Sequence, residues 1–186
     1  MRARHEASRA VVWPELIASA KETLDIAEFY VAVTTRPGEP LDPVIDELRK
    51  AGARGVKIRF LAEKKMEKVS EEGFIRLRAI PNLELRVIDF SGVKKDGIVH
   101  AKYMVADGKT AYIGSQNFDW RSLKHIHELG LLVTQTPIVS QAAAIFAHDW
   151  KAQALVASGK PVPVLNKARP KAAYEKRAYL VASPYA

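Results

Sequence analysis

Apolar residues return along this chain with two different periods, and the switches between them outline a layered domain. Leu16, Ile17, Ala20 and Leu24 recur at helical spacing behind Trp13-Pro14-Glu15. A proline in a first turn loses no hydrogen bond, because its N–H would have no helical partner there. From Ile26 to Val33 the pattern becomes a run of β-branched and aromatic side chains, which predicts a buried strand. Arg36-Pro37-Gly38-Glu39-Pro40 reads as a loop. Leu41 to Ala51 predicts a helix with Val44, Ile45 and Leu48 inward, closed by Gly52 and Gly55, and Val56 to Leu61 predicts a strand.

The segment from Glu63 to Glu72 reads as charged and exposed, and Phe74 to Ala79 as a short helix stopped by Pro81. Leu83, Leu85 and Val87 alternate through a strand from Leu83 to Ile88. After a polar loop, Ser91 to Gly97, two apolar runs (Ile98 to Ala106 and Thr110 to Ile113) flank Asp107-Gly108 and predict a hairpin. Glu128 to Thr134 predicts a last strand. Thr136-Pro137 opens a helix running to Ala157, with Ile138, Ala142, Ile145, Phe146 and Trp150 on one face. The order β, α, β, α, β, β, β, α predicts a layered α/β domain over residues 1–157. Residues 158–186 differ in kind. Gly159 to Pro163 and Ala168 to Lys171 read as linker, and Tyr179-Leu180-Val181 as the start of another strand.

Composition narrows this picture. Apolar residues make up 48 % of the 186, enough for a substantial core in one domain. No run approaches the roughly 18 apolar residues of a transmembrane segment. The first residues, Met1 to Arg9, show no apolar signal core, so a cytoplasmic location is expected; a natural start further upstream would make it secreted or luminal. The absence of cysteine removes disulfides, thiol catalysis and thiolate metal sites. The net charge is +8, but residues 151–186 hold seven basic side chains against one acid, leaving 22 against 20 in the rest. The basicity therefore belongs mainly to the tail, where it suits either phosphate contact or plain solvation.

The chemistry gathers between residues 100 and 128. His100 and Lys102 stand two apart in a strand pattern, so both face one side, where imidazole and ammonium can meet one phosphate. A lysine in a buried strand needs an anionic partner. Gly114-Ser115-Gln116-Asn117 follows the hairpin: glycine allows close backbone approach, and Ser115 and Asn117 can donate to phosphate oxygens. Asp107 reads first as a turn residue and second as a catalytic carboxylate. Glu128 can accept from an imidazole N–H and fix its tautomer. His125 and His127 lack a ligand framework at metal spacing, so no metal site is expected.

His100, Lys102, Asp107, Gly114, Ser115 and Asn117 together form H-x-K-x4-D-x6-G-S-x-N, which resembles the signature of the phospholipase D superfamily. Trp13 to Tyr30 and Arg54 to Arg59 resemble that family's opening helix and first strands. Asp119-Trp120-Arg121-Ser122-Leu123 with Glu128-Leu129-Gly130 resembles the subgroup containing lysosomal phospholipase D-like 5′ exonucleases. The resemblance covers about residues 11–157 and implies an α/β sandwich with a mixed central β-sheet flanked by helices. It implies a metal-independent phosphodiesterase, without cofactor, in which one histidine forms a phosphohistidine and another protonates the leaving oxygen. His100 would be nucleophile or general acid, Lys102, Ser115 and Asn117 would bind phosphate, Glu128 would orient a histidine, and Asp107 matches the motif as a fourth catalytic position. Such sites use two motifs, and this chain carries one. The expected partner is a second copy in a C2 homodimer, or a missing second half. Nucleic acid is the favoured substrate. The alternatives are phospholipid, as a phospholipase D or transphosphatidylase, and a non-catalytic half-domain that binds phosphate ligands or a partner chain.

Overall fold

In the computed structural model, residues 9–34, 36 and 38–163 are described. Their elements run α1 (Arg9–Ser19), β1 (Thr23–Glu28), β2 (Val31–Ala32), α2 (Leu41–Ala53), β3 (Lys57–Glu63), α3 (Glu67–Arg78), β4 (Leu83–Ile88), β5 (Lys102–Ala106), β6 (Thr110–Gly114), β7 (Phe118–Asp119), β8 (Gly130–Val133) and α4 (Thr136–Ala157). Six strands form one sheet in the order β4-β3-β1-β5-β6-β8. The β4, β3 and β1 ladder is parallel, and the β1, β5, β6 and β8 ladder is antiparallel. The sheet is therefore mixed, as expected.

Side-chain alternation gives this sheet two apolar faces. Leu24, Ile26, Ile58, Phe60 and Met104 point to one face, with Trp13 and Ile17 of α1, Ile45 and Leu48 of α2, and Phe74 and Leu77 of α3. Ala27, Leu61, Tyr103 and Val105 point to the other, under Val139, Phe146 and Trp150 of α4. The α4 face also holds charge pairs, the more buried of them on β1 and β3. Arg59 clamps Asp25 through Nε and Nη2 at 2.7 and 2.8 Å, and its guanidinium lies 5.0 Å from the centre of the Phe146 ring.

The structure departs from the sequence expectations where tertiary pairing overrides local pattern. The predicted strand from Ile26 to Val33 breaks after Glu28. Val31 and Ala32 leave the main sheet to pair, in parallel, with Phe118 and Asp119. Helix α3 satisfies the new strand's other edge: Ser70 Oγ accepts the Val31 N–H at 3.1 Å and donates to the Met66 carbonyl. Gly73 permits this approach, because a Cβ there would stand 2.4 Å from Val31 Cγ1. The stretch from Glu63 to Glu72 is mostly exposed, as expected, but it contains the first half of α3, and Glu63 and Ser70 are fully buried. β5 begins only at Lys102, so Ile98 to Ala101 approach the sheet without joining it. The last strand is short and apolar-exposed, with Leu131 and Leu132 facing out. The helix expected to reach Ala157 does so. The reading of Tyr179-Leu180-Val181 as a strand lies outside the described residues.

The Asp107-Gly108 turn forms as expected, with φ of 51° and 62° at its two residues. The Asp107 carboxylate accepts backbone N–H groups from Lys21, Glu22 and Thr23 at 2.9–3.0 Å, stitching the start of β1 to the end of β5. Burial raises its pKa, but those three N–H groups and nearby Lys109 outweigh it and hold the carboxyl below its usual 3.8. A depressed folded-state value means stabilisation that is complete above the unfolded pKa and is lost as pH falls through the folded one. Asp107→Ala should therefore lower stability by about 2–3 kcal/mol in urea unfolding at pH 7, from lost hydrogen bonds and the left-handed backbone. The gap to wild type should shrink as pH drops below 3.8.

Candidate active site

The strand directions bring four chain segments to one end of the sheet. β1 and β6 finish there, while β5 and β8 begin there. His100 and Lys102 arrive ahead of and on β5, Ser115 and Asn117 just after β6, and Glu128 just before β8. This is the carboxyl end of the parallel strands β1 and β3, the usual ligand-binding edge of such sheets.

Two residues are in direct contact. Lys102 Nζ donates to the His100 carbonyl at 2.9 Å and lies 3.2 Å from His100 Nδ1. An ammonium can only donate, so Nδ1 accepts and the neutral imidazole carries its proton on Nε2. The Phe29 ring meets His100 edge-on at 4.6 Å, and Lys102 Nζ sits 5.4 Å from the centre of the same ring. Burial and the Lys102 charge both lower the His100 pKa from 6.5, so the imidazole is neutral at pH 7. Burial also lowers the Lys102 pKa, opposed by the carboxylates of Glu28 and Glu128.

A second pair forms beside them. Ser115 Oγ donates to Glu128 Oε2 and accepts the Leu129 N–H at 3.0 Å, which ties the β6 end to the β8 start. Gly114 permits the close approach: a Cβ there would stand 2.9 Å from the Leu129 carbonyl oxygen. The Gln116 amide is buried and accepts from the Tyr112 hydroxyl. Asn117 has a buried Oδ1 with no partner among the described residues. A half-turn of the amide exchanges its ends, so this position can offer a bound group either an acceptor or a donor.

The structure places the two acids of the motif region differently. Asp107 stands five residues beyond Lys102, at the far end of β5, about 16 Å away at roughly 3.3 Å per residue. Its carboxylate accepts the backbone N–H groups of Lys21, Glu22 and Thr23 at the start of β1, which is the turn role that the sequence reading put first. Glu128 is at the site, but its carboxylate engages Ser115 instead of a histidine of the same chain. His125 lies edge-on to Trp120 at 5.5 Å, and both His125 and His127 are exposed. No cluster of three or more potential metal ligands occurs among the described residues.

The sequence reading missed two buried acids. Glu63 Oε2 accepts the Val99 N–H at 2.7 Å, fixing the residue before His100. Glu28 Oε2 accepts the Phe118 N–H at 3.2 Å, fixing the residue after Asn117. Glu28 also faces Lys102 in the β1–β5 register. The signal was available: Leu24, Ile26 and Glu28 alternate onto one core face, and an acid in that series needs a partner. Phe118 is locked further by stacking on Trp13 at 5.5 Å and by its edge contact with Phe60 at 5.3 Å. Beyond it, buried Asp119 accepts from the Tyr30 hydroxyl and the Arg121 guanidinium, at 2.9 and 2.6 Å. Burial and then Asp119 push the Tyr30 hydroxyl up to about 12.

Chemically, the arrangement offers a neutral imidazole, an adjacent buried ammonium, and polar groups from two loops. These suit a phosphate anion. Removing Lys102's charge should free the imidazole. In Lys102→Met, the His100 titration followed by proton NMR should move up toward 6.5, and an unchanged midpoint would show that the two groups are not coupled.

Comparison with known proteins places this geometry in context. A family model described as cardiolipin synthase, PLD-like domain, matches residues 14–150. Phospholipase D Z of Dictyostelium discoideum is 34 % identical over 150 residues, covering 75 % of this chain and 35 % of that protein. The 5'-3' exonuclease PLD3 of Xenopus laevis is 31 % identical over 146 residues, covering 74 % and 29 % respectively. This chain thus spans about a third of the length of those relatives. Among solved structures, NucT from Helicobacter pylori superposes with a TM-score of 0.62 at 19 % identity, covering 75 % of this chain and 86 % of that one. The expected sandwich, a mixed sheet between two helical layers, is the observed fold.

Proposed function

Because the chain belongs to the phospholipase D superfamily, we propose that it hydrolyses phosphodiesters without a metal, through a covalent histidine intermediate, in a site completed by a second copy. The observation that carries this reading is the Lys102 ammonium 3.2 Å from a neutral His100 imidazole. A phosphodiester is an anion. As it enters, Lys102 turns from His100 Nδ1 to a non-bridging oxygen, and the imidazole lone pair is released to attack phosphorus. A P–N bond forms and the P–O bond to the leaving group breaks. The second copy's histidine, which takes up a proton from solvent as the adjacent anion favours its charged form, gives that proton to the leaving oxygen. That histidine then takes a proton from water, whose oxygen attacks phosphorus and breaks the P–N bond. Lys102 and Asn117 stabilise the equatorial oxygens, the electrostatic work that dominates phosphoryl transfer. In a two-fold pair both imidazoles start alike, and the bound substrate sets them apart.

Nucleic acid is the substrate we favour. The chain's charge of +8 and the partly buried Phe29 ring beside His100 support it, since an aromatic ring near a phosphate site can stack a base. His100→Ala should fold normally and lose at least about 10^3-fold in turnover of bis-p-nitrophenyl phosphate or single-stranded DNA. EDTA should leave the wild-type rate unchanged; a collapse rescued by zinc would contradict metal independence. Faster turnover of phosphatidylcholine than of single-stranded DNA or RNA would move the substrate to lipid.

The apolar edge of the sheet supports the second copy. Leu129, Leu131 and Leu132 are 77, 69 and 56 % exposed on and beside β8, whose outer edge is unpaired in the described sheet. This face starts one residue from Glu128, and an exposed apolar strand edge invites a partner. Wild type should sediment as two chains. Leu131→Glu with Leu132→Glu should give a folded monomer with turnover reduced at least about 100-fold. An active wild-type monomer would overturn this part of the proposal.

A further inference from the structure

We propose that Glu28 is a positioning residue of this site: one buried carboxylate that both anchors the Asn117 segment and supplies the internal counter-charge for Lys102. The two phosphate-binding groups are thereby fixed relative to each other. Their segments come from different parts of the chain, since Lys102 opens β5 and Asn117 precedes β7. Glu28 ends β1, which lies beside β5, and its side chain is 1 % exposed. Along β1 its neighbours on the same face are Leu24 and Ile26, both wholly buried, so the carboxylate is held among apolar groups.

The β1–β5 register pairs Glu28 with Lys102, as it pairs Ile26 with Met104 and Leu24 with Ala106. Side chains at paired positions share a face, so the acid stands opposite the ammonium. Lys102 is itself 8 % exposed and would be costly in that position without an anion. The other charged or titratable groups acting on Lys102 are Glu128, ahead of β8, and His100 on its own segment. Glu128 is already engaged by Ser115. Glu28 Oε2 also accepts the Phe118 N–H, so the same carboxylate ties down the backbone immediately after Asn117. Burial pushes the Glu28 carboxyl well above its ordinary range, with Lys102 and the Phe118 N–H pulling it back. Each of the two charges therefore favours the other.

The two roles separate by substitution. Glu28→Gln keeps an acceptor for Phe118 but loses the charge. Glu28→Asp keeps the charge but is one methylene too short for the same hydrogen bond. Lys102 would be followed by NMR of lysine side chains, with Lys102→Met giving the assignment. In Glu28→Gln, the Lys102 midpoint should fall by about one unit, a tenfold loss of proton affinity. The alkaline limb of kcat/KM on bis-p-nitrophenyl phosphate should move to lower pH with it. In Glu28→Asp, the Lys102 midpoint should stay near wild type while KM rises and the Phe118 amide exchanges faster. An unchanged Lys102 midpoint in folded Glu28→Gln would overturn the proposal. If that variant does not fold, the wild-type chain answers the same question. The Glu28 carboxyl and Lys102 should then titrate in shared steps, and independent curves would overturn the coupling. The kinetic arm rests on the phosphodiesterase reading, but the NMR arm does not, so a failure of either is distinguishable from a failure of the other.

Discussion

A lysine ammonium held largely out of water is the constraint from which the rest of this site follows. Lys102 sits at the first position of a strand otherwise filled by Tyr103, Met104, Val105 and Ala106, all buried. Desolvation works against its charge, and the structure answers with Glu28 opposite, Glu128 nearby and the His100 carbonyl within hydrogen-bond reach. The same charge then acts outward. Together with burial, the larger cause, it lowers the His100 pKa and keeps that ring neutral, and it makes the end of the sheet attractive to a phosphate. A surface lysine would do neither, because water would screen it.

Topology supplies the geometry. The parallel half of the sheet ends in two buried glutamates, Glu28 on β1 and Glu63 on β3. Each accepts a backbone N–H from a segment that carries a site residue: Phe118 beside Asn117, and Val99 beside His100. The antiparallel half delivers those segments to the same end, with β5 starting and β6 finishing there. Aromatic packing of Phe118 on Trp13 and Phe60 ties the arrangement to the core, with such pairs contributing about 0.5–1.5 kcal/mol each beyond the area they bury. At the opposite end Asp107 does the corresponding work for the scaffold alone.

Much of this was legible in the sequence, for reasons that can be stated residue by residue. The two-residue spacing of His100 and Lys102 put both on one side, and Asp-Gly between apolar runs gave the turn that is observed. Gly114 read correctly as a place of close approach. What stayed hidden depends on contacts distant in sequence. Nothing local says that β1 stops at Glu28, because the break is made by Val31 and Ala32 pairing with residues near 118 and by Ser70 on α3. The charges between Glu63 and Glu72 rightly suggested exposure but hid the first half of α3, because Ser70 and Gly73, the residues on its inward face, carry no apolar signal. Glu28 became meaningful only once the register set it opposite Lys102. Asp107 shows the converse: it occupies a motif position, yet the structure assigns it to the backbone.

In the proposed site each of two chains supplies its His100, and one of the pair bonds to phosphorus. Both parts appear in a single measurement. Wild-type protein turning over bis-p-nitrophenyl phosphate would be quenched rapidly in alkaline denaturant, then analysed by intact mass and peptide mapping. The account predicts a p-nitrophenylphosphoryl adduct on His100, reaching no more than one per two chains. An adduct on another residue, full labelling of every chain, or brisk turnover with no adduct would contradict it.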